Sequence, residues 1–210
     1  MTDSNRTLKI LGFGVICAVI AFFFLDHPLG MWLRQKSLPG DVRRFIDCGE
    51  WFGHGTGTFQ VILALYFLDP ANRRKILRVA ACAVVPGLVA VLVKMFILRT
   101  RPHAFDYSYA IEQTFTGWNF FHKISSDFQS FPSGHTATAV GLALGLAWLY
   151  PHGRKLFWIL AIWVAIQRMA SEAHFLSDTI CGAMLGFLVA GCLLPHGPLS
   201  WGFDRCENGK

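Results

Sequence analysis

The feature that most constrains this chain is a series of six apolar segments spread along its 210 residues. They are Leu8–Leu25, Thr56–Leu68, Ile76–Leu98, Ser133–Tyr150, Leu156–Ala170 and Ser177–Leu194. A helix that crosses a bilayer needs about 20 largely apolar residues, with a lower limit near 17. The first, third, fourth and sixth segments reach that limit, and the second and fifth reach it only with flanking polar residues.

The composition argues against the alternative that these segments are buried helices of a soluble protein. With 53% hydrophobic and only 15% charged residues, the chain has too little polar surface to enclose six such helices. The sequence therefore predicts an all-α fold, a six-span transmembrane helical bundle that forms a single domain over residues 1–210.

The distribution of Lys and Arg predicts the orientation of the bundle. Six spans place both termini on one side, and the segments on that side carry the larger share of Lys and Arg. Because loops rich in Lys and Arg stay inside, the termini are expected in the cytoplasm and the Arg99–Phe131 loop on the extracytoplasmic side. The segment Asp26–Phe52 mixes charges with aromatic residues and is expected to lie along the interface. The expected location is the cell (inner) membrane of a bacterium.

Charge and cysteine usage argue against other partners and cofactors. The net charge of +6 comes from short basic clusters between apolar segments, so we expect contacts with the bilayer and no nucleic acid. Four of the six cysteines lie inside apolar segments, and Cys48 and Cys206 fall on opposite sides of the expected bilayer. These positions predict no disulfide framework. No Cys-x-x-Cys spacing occurs, so a zinc site has no support. We therefore expect no metal site and no cofactor.

Two pairs of glycines lie at a spacing that matters for helix packing. Gly141 and Gly145 lie in the fourth segment, and Gly182 and Gly186 lie in the sixth. Small residues four apart let two helix backbones approach closely, which favours packing of the fourth segment against the sixth. Since Gly is common in membrane helices, an accidental spacing is an equal alternative.

Three groups of polar residues lie at segment ends on the expected outer side, where charged groups near a bilayer are functional candidates. The first group is Lys94 with Arg101 and Pro102. Seven residues separate the two cations, close to two helical turns, so both are expected to face one direction, with Pro102 ending the helix at Arg101. For Lys94 taken alone, a side chain that extends to the interface is the simpler interpretation.

The second group is Pro132–His135, at the start of the fourth segment. Ser133 is a good helix cap, and Gly134 lets a ligand approach the backbone. The unpaired N–H groups and the positive end of the helix dipole then form an anion site, which the imidazole of His135 can reach. A plain helix cap would explain the same residues.

The third group is Arg168, His174 and Asp178. His174 and Asp178 are four apart, which on a helix places them on one face. A carboxylate bonded to one ring nitrogen leaves the other free as a nucleophile, and the planar fork of Arg168 suits phosphate oxygens. A structural His–Asp pair is the alternative. Taken together, the three groups place cations, histidines and a carboxylate on one membrane face, which favours phosphoryl transfer without a metal.

These residues resemble the motifs of the type 2 phosphatidic acid phosphatase (PAP2) superfamily, in its membrane lipid phosphatase branch. The family pattern is Lys-x6-Arg-Pro, then Pro-Ser-Gly-His, then Ser-Arg-x5-His-x3-Asp. Here Lys94–Pro102 matches the first element, Pro132–His135 the second and Gln167–Asp178 the third, so the motif region spans residues 94–178. The one departure is Gln167, which stands where the family pattern has Ser.

The resemblance implies a role for each matched residue. His174 is implied to attack phosphorus and form a phosphohistidine, while Asp178 holds its ring and His135 protonates the leaving alkoxide. The residues implied to hold the phosphate oxygens are Lys94, Arg101, Arg168 and the backbone of Ser133 and Gly134. Water then cleaves the phosphohistidine, and neither a metal nor a cofactor takes part.

The implied activity is hydrolysis of a phosphomonoester or diphosphate of a membrane lipid, such as phosphatidic acid, phosphatidylglycerol phosphate, isoprenyl diphosphate or a glycolipid phosphate. The alternatives are a lipid phosphotransferase with the same intermediate, a halide-oxidising enzyme that holds vanadate, and a non-catalytic phosphate-binding membrane protein. Six spans argue against the oxidising enzyme, and the presence of His174 and Asp178 argues against the non-catalytic protein. The transferase stays open, because the two enzymes differ only in which hydroxyl reaches the intermediate.

Overall fold

Helices make up most of the protein. A computed structural model describes residues 2–36, 38–119 and 125–207. The helices are α1 (Thr2–Ile20), a π-helical turn (Ala21–Leu25), α2 (Asp26–Gln35), α3 (Gly40–Asp47), α4 (Gly55–Leu68), α5 (Arg73–Lys94), α6 (Gly134–Leu149), α7 (Arg154–Ala170), α8 (Leu176–Leu193) and α9 (Trp201–Glu207). Each of the six apolar segments overlaps one of the longer helices, so the predicted helical character is confirmed.

Several of these helices have the length and composition of membrane spans. Three stretches are long and apolar enough to cross a bilayer, namely Thr7–Gln35, Pro70–Lys94 and Leu176–Leu193. Helices α4 and α6 are also apolar but shorter. Large apolar side chains such as Phe13 and Ile159 point away from the bundle, where lipid would cover them. The protein is therefore a helical membrane protein, and the count of six spans stays a prediction.

Helix α6 lies at the centre of the bundle and packs against α5, α7 and α8. The helices approach closely because glycines face their neighbours. A Cβ atom on Gly186 would lie 2.5 Å from the carbonyl oxygen of Ala137, so the predicted packing of α6 against α8 is confirmed. Gly141 faces α5 instead, where a Cβ atom would lie 2.0 Å from the carbonyl oxygen of Cys82. The two glycine pairs thus serve two different interfaces of the central helix.

The first helix extends further than its apolar segment. Helix α1, the π-helical turn and α2 follow one another without a break to Gln35, so the expectation that Asp26–Phe52 lies along the interface is wrong for its first ten residues. The physical reason lies in tertiary contacts. Asp26 is buried and accepts hydrogen bonds from Arg99 and Ser177, which stabilise a carboxylate that would otherwise be costly at this depth.

The third helix ends earlier than its apolar segment. Helix α5 stops at Lys94, and strand β1 (Ile97–Arg99) pairs antiparallel with strand β2 (Phe115–Trp118). The all-α prediction is therefore wrong for this pair of strands. The expectation that Lys94 and Arg101 face one direction on a helix is also wrong, because α5 ends at Lys94. The backbone of Ile97–Arg99 is extended because it pairs with β2. Local sequence does not reveal this pairing. Arg101 itself is extended, as expected for a residue before proline.

Candidate active site

The start of α6 is joined directly to the start of α8. Ser133 caps α6, and its side chain accepts a hydrogen bond from the backbone N–H of Thr136 at 3.4 Å. The N–H of Ser133 donates to the carbonyl oxygen of Asp178 at 3.0 Å. This approach is possible because Gly182 has no side chain, since a Cβ atom there would lie 2.4 Å from the carbonyl oxygen of Ser133. The predicted helix cap is confirmed, and the N–H of Ser133 is engaged, so Gly134 provides the first candidate N–H for an anion.

His174 lies in the connection between α7 and α8. Its N–H donates to the carbonyl oxygen of Arg168 at 3.1 Å, and Phe175 caps α8. The expectation that His174 and Asp178 share one helical face is therefore wrong, because α8 begins only at Leu176. The two side chains are nevertheless neighbours, with His174 Nδ1 lying 3.9 Å from Asp178 Oδ2. That distance is too long for a hydrogen bond, and in substrate-free sites such bonds are often long.

The three predicted cations gather around the two histidines. The Lys94 ammonium donates to the carbonyl oxygen of Gln129 at 2.8 Å. The buried Nε of Arg101 has no hydrogen-bond partner among the described residues, and Arg168 Nη1 lies 3.5 Å from His135 Nδ1. The charges of all three cations act on both His135 and His174. The structure thus brings the predicted site residues together, although they come from α5, a loop, α6 and the ends of α7 and α8.

The surroundings of His174 keep its imidazole neutral. Burial lowers the pKa of His174 well below its ordinary value, and the charges of Lys94, Arg101 and Arg168 lower it further. A neutral imidazole has a nitrogen lone pair available for bonding. Because Nδ1 faces Asp178, the nitrogen that can act as a nucleophile is Nε2.

Gln167 contacts the cation that follows it in sequence. Its side-chain oxygen accepts a hydrogen bond from Arg168 Nε at 2.7 Å, and the side chain is buried. The amide therefore orients the guanidinium at the position where the family pattern has Ser.

A buried network behind the site was missed by sequence analysis. Arg99 donates to Asp178 Oδ1, to the hydroxyl of Ser177 at 2.7 Å and to Asp26 Oδ2 at 2.8 Å. The hydroxyl of Ser130 donates to the other oxygen of Asp178 at 2.7 Å. The signal that could have indicated this network is Asp26, because a carboxylate directly after an apolar segment needs a partner near the bilayer. The sequence analysis instead placed Asp26 in a segment along the interface.

Glu50 is a second residue that sequence analysis missed. Its carboxylate lies 3.1 Å from Arg168 Nη1 and 3.5 Å from His135 Nε2. The ligand atoms of Glu50, His54 and His135 also lie within 4.8 Å of one another, and carboxylate and imidazole are ligands that zinc accepts. Among the residues that the structure describes, these three form a candidate site for a metal ion. The sequence predicts chemistry that is independent of metal, and phosphate release in the presence of a chelator tests this prediction.

Fold and site together define a helical membrane protein in which three cations and two histidines gather at neighbouring helix ends. A profile of the PAP2 superfamily matches residues 54–197, which include the whole motif region. The chain therefore belongs to the PAP2 superfamily.

Individual relatives agree with this assignment. The chain is 38% identical over 185 residues to a lipid A 1-phosphatase of Rhizobium etli, covering 80% of this chain and 75% of the relative. It is 28% identical over 186 residues to a lipid A 1-phosphatase of Rhizobium johnstonii, covering 80% and 71%. The prediction of a membrane phosphatase that acts on lipid is confirmed by these relatives together with the family match.

Two crystal structures share the fold. LpxE of Aquifex aeolicus superposes with a TM-score of 0.61 at 20% identity, covering 80% of this chain and 93% of that one. The first transmembrane PAP2 type phosphatidylglycerolphosphate phosphatase from Bacillus subtilis superposes with a TM-score of 0.59 at 19% identity, covering 95% and 96%. At these identities the likeness concerns the fold.

Proposed function

We propose that this protein hydrolyses the phosphate of a membrane glycolipid, with a lipid A 1-phosphate as the first candidate, through a phosphohistidine on His174. The observation that carries the chemistry is the convergence of three cations on a buried, neutral His174 beside the start of α6. The substrate class follows from the Rhizobium relatives, which are named lipid A 1-phosphatases.

In the first half of the reaction, Nε2 of His174 attacks phosphorus. Lys94, Arg101 and Arg168 hold the phosphate oxygens and neutralise their charge, and the N–H of Gly134 adds a donor at the positive end of α6. Since phosphoryl transfer depends on positioning and charge stabilisation, fixed cations supply what the reaction needs.

His135 and Asp178 assist the transfer. His135 protonates the leaving oxygen and then takes a proton from the water that cleaves the phosphohistidine. Asp178 orients the ring of His174 through Nδ1, once the present 3.9 Å separation shortens. The Ser130 and Arg99 contacts hold Asp178 in place for this task.

The site's position suits a substrate whose tails stay in the bilayer. An apolar groove between α6, α7 and α8 begins beside the site, where Thr136, Met169 and Leu176 line it. We infer that a lipid chain lies there while the phosphate contacts Lys94, Arg101 and Arg168. The same proposal includes six spans, cytoplasmic termini and a site that faces the extracytoplasmic side.

The test is phosphate release by detergent-purified protein in the presence of a chelator, on a panel of lipid phosphates. We expect release by the wild type and a loss of at least about 10³-fold in His174→Ala, because the nucleophile is gone. Trapping of acid-labile phosphate on the wild-type protein and not on the variant would support the intermediate.

Each other outcome has a defined meaning. Release that requires added metal would contradict the metal-independent mechanism. Release by His174→Ala at the wild-type rate would remove the phosphohistidine from the mechanism. Phosphate transferred to an added lipid or sugar hydroxyl, instead of to water, would identify a phosphotransferase.

A further inference from the structure

We propose that a polar cavity between α2, α3 and the connection from α7 to α8 binds the sugar of the lipid substrate, next to the phosphate. The inference rests on the proposed function, in which the phosphate of a glycolipid contacts Arg168. The cavity has a volume of about 310 Å³, within the range of small-molecule sites, about 300–1,000 Å³. Helices α2 and α3 lie outside residues 54–197, which the family profile matches.

The cavity is lined by charged side chains of both signs. Three cations and two carboxylates contribute to it, namely Arg34, Lys36, Arg43, Asp47 and Glu172. Guanidinium and ammonium groups donate hydrogen bonds and carboxylates accept them, whereas a hydroxyl does both. Because the carboxylates would repel a second phosphate, the lining favours a neutral group that is rich in hydroxyls, such as a sugar ring.

The cavity begins beside a cation that is proposed to bind the phosphate. Ser171 lines the cavity, and its hydroxyl accepts a hydrogen bond from Arg168 Nη2 at 3.4 Å. Asp47, which lines the cavity from α3, also acts on Arg168 through its charge. A sugar that is bonded to a phosphate at Arg168 therefore lies within reach of the cavity.

Glu172 adopts a backbone conformation that usually belongs to glycine. Its φ is 54°, in the left-handed region, and it directly follows the C-cap of α7. The N–H of Glu172 donates to the carbonyl oxygen of Met169 at 2.9 Å and that of Ala173 to the carbonyl oxygen of Arg168 at 3.2 Å, which together form a Schellman motif. A side chain at this position costs stability, and strained residues of this kind cluster at ligand-binding sites.

The carboxylate of Glu172 lies in the cavity wall beside a fixed donor. Arg34 Nε lies 3.4 Å from Glu172 Oε2, and Arg34 Nη1 donates to the carbonyl oxygen of Phe105 at 2.9 Å. The side chains of Arg34 and Glu172 are 39% and 28% exposed, so a ligand can reach both. An acceptor and a donor that are held in place before the substrate arrives lower the entropic cost of binding it.

The experiment measures kcat and KM of Glu172→Gly on lipid A that carries the 1-phosphate and on phosphatidic acid, which has no sugar. We expect KM on lipid A to rise about tenfold or more with kcat within about twofold, because the lost contact serves ground-state and transition-state binding alike. KM on phosphatidic acid should change less than about twofold, because its head group makes no hydrogen bond in the cavity. The midpoint of thermal unfolding in detergent should stay or rise, since glycine relaxes the backbone at position 172.

A second pair of variants tests the wall that α3 contributes and provides a matched control. Arg43→Gln removes a cation that lines the cavity, whereas Arg44→Gln removes the next cation of the same helix, which pairs with Asp41 at the surface. We expect KM on lipid A to rise about threefold or more in Arg43→Gln and to change less than about twofold in Arg44→Gln, because an exposed ion pair contributes little.

The outcomes separate this inference from the proposed function. Equal rises in KM on both substrates, a fall in kcat with KM unchanged, or an unchanged KM on lipid A would overturn the sugar site. If the wild type hydrolyses lipid A alone, the division of the loss between KM and kcat on lipid A decides. Phosphate release from phosphatidic acid and not from lipid A would overturn the sugar site and leave the phosphatase chemistry intact. Absence of release from every lipid by the folded wild type would overturn the proposed function and the sugar site with it.

Discussion

Arg99 is the residue on which the buried charges of the site converge. It is fully buried, and its guanidinium bridges Asp178 of the site and Asp26 of the first helix. The rings of Phe22, Phe115 and Phe175 lie around it, with centroid distances of 5.2, 4.8 and 4.4 Å. Two carboxylates thus share one guanidinium that is surrounded by aromatic rings. The position of Asp178 therefore depends on Arg99, which lies between the motif residues Lys94 and Arg101 and is not itself part of the family pattern.

Replacing Arg99 should destabilise the protein strongly. In Arg99→Met, two buried carboxylates lose their counter-charge, and we expect the free energy of unfolding to fall by about 3–5 kcal/mol. Denaturant titration in detergent measures this change. The control is Arg44→Met, since Arg44 forms an exposed pair with Asp41 and should change stability by less than about 1 kcal/mol. Equal stabilities of the two variants would show that the bridge contributes nothing.

At the scale of elements, the bundle is held together by close contacts of α6. Buried Ala139, Leu142 and Ala143 of α6 belong to the main core cluster, together with Val79 of α5 and Val164 of α7. Glycines in α6 and α8 allow the backbones to come near enough for the starts of the two helices to meet. The site therefore depends on helix contacts that lie well away from its own side chains.

A methyl group at the tightest of these contacts should push two helices apart. In Gly141→Ala, the new Cβ would lie 2.0 Å from the carbonyl oxygen of Cys82, so we expect a loss of about 1–3 kcal/mol of stability. Gly191→Ala is the matched control, because nothing lies within 4 Å of its added Cβ. The midpoint of thermal unfolding in detergent should fall for the first variant and not for the second. A fall of equal size in both would show that the tight contact is not responsible.

At the scale of the whole molecule, the site and the C-terminal helix lie at opposite ends of the bundle. Arg78, in the first part of α5, pairs with Asp204 and Glu207 of α9. Lys94, the last residue of α5, lies at the site. Because α5 is long enough to cross a bilayer, these two ends should face different compartments.

Two exposed cysteines make the orientation testable. Cys48 lies beside Glu50 at the site's end of the bundle, and Cys206 lies in α9. With the other cysteines replaced, we expect a membrane-impermeant maleimide to label Cys48 in spheroplasts and Cys206 only after permeabilisation, because the termini are predicted to be cytoplasmic. The reverse pattern would place the site in the cytoplasm. Labelling of both cysteines from outside would contradict the six-span arrangement.

The sequence by itself determined the helical character and the family, and it predicted the site residues that the structure brings together. Apolar runs of spanning length predict helices because the backbone in lipid must satisfy its own hydrogen bonds within one segment. The cap at Ser133 is likewise local, since it depends on residues within one turn. The spacing of the motif from Lys94 to Asp178 was enough to indicate the family, which the profile match confirms.

The tertiary structure decided which distant residues meet. Asp26 lies 73 positions before Arg99 in sequence, and their pairing turned an expected interface segment into a continuation of the first helix. Strand β1 is extended because it pairs with β2. Arg101 therefore lies outside α5, the helix that ends at Lys94. Glu50 reaches His135 because Gly49 and Gly53 let its 3₁₀-helix dock closely. Such contacts depend on the packing of whole helices, which no local pattern of residues encodes.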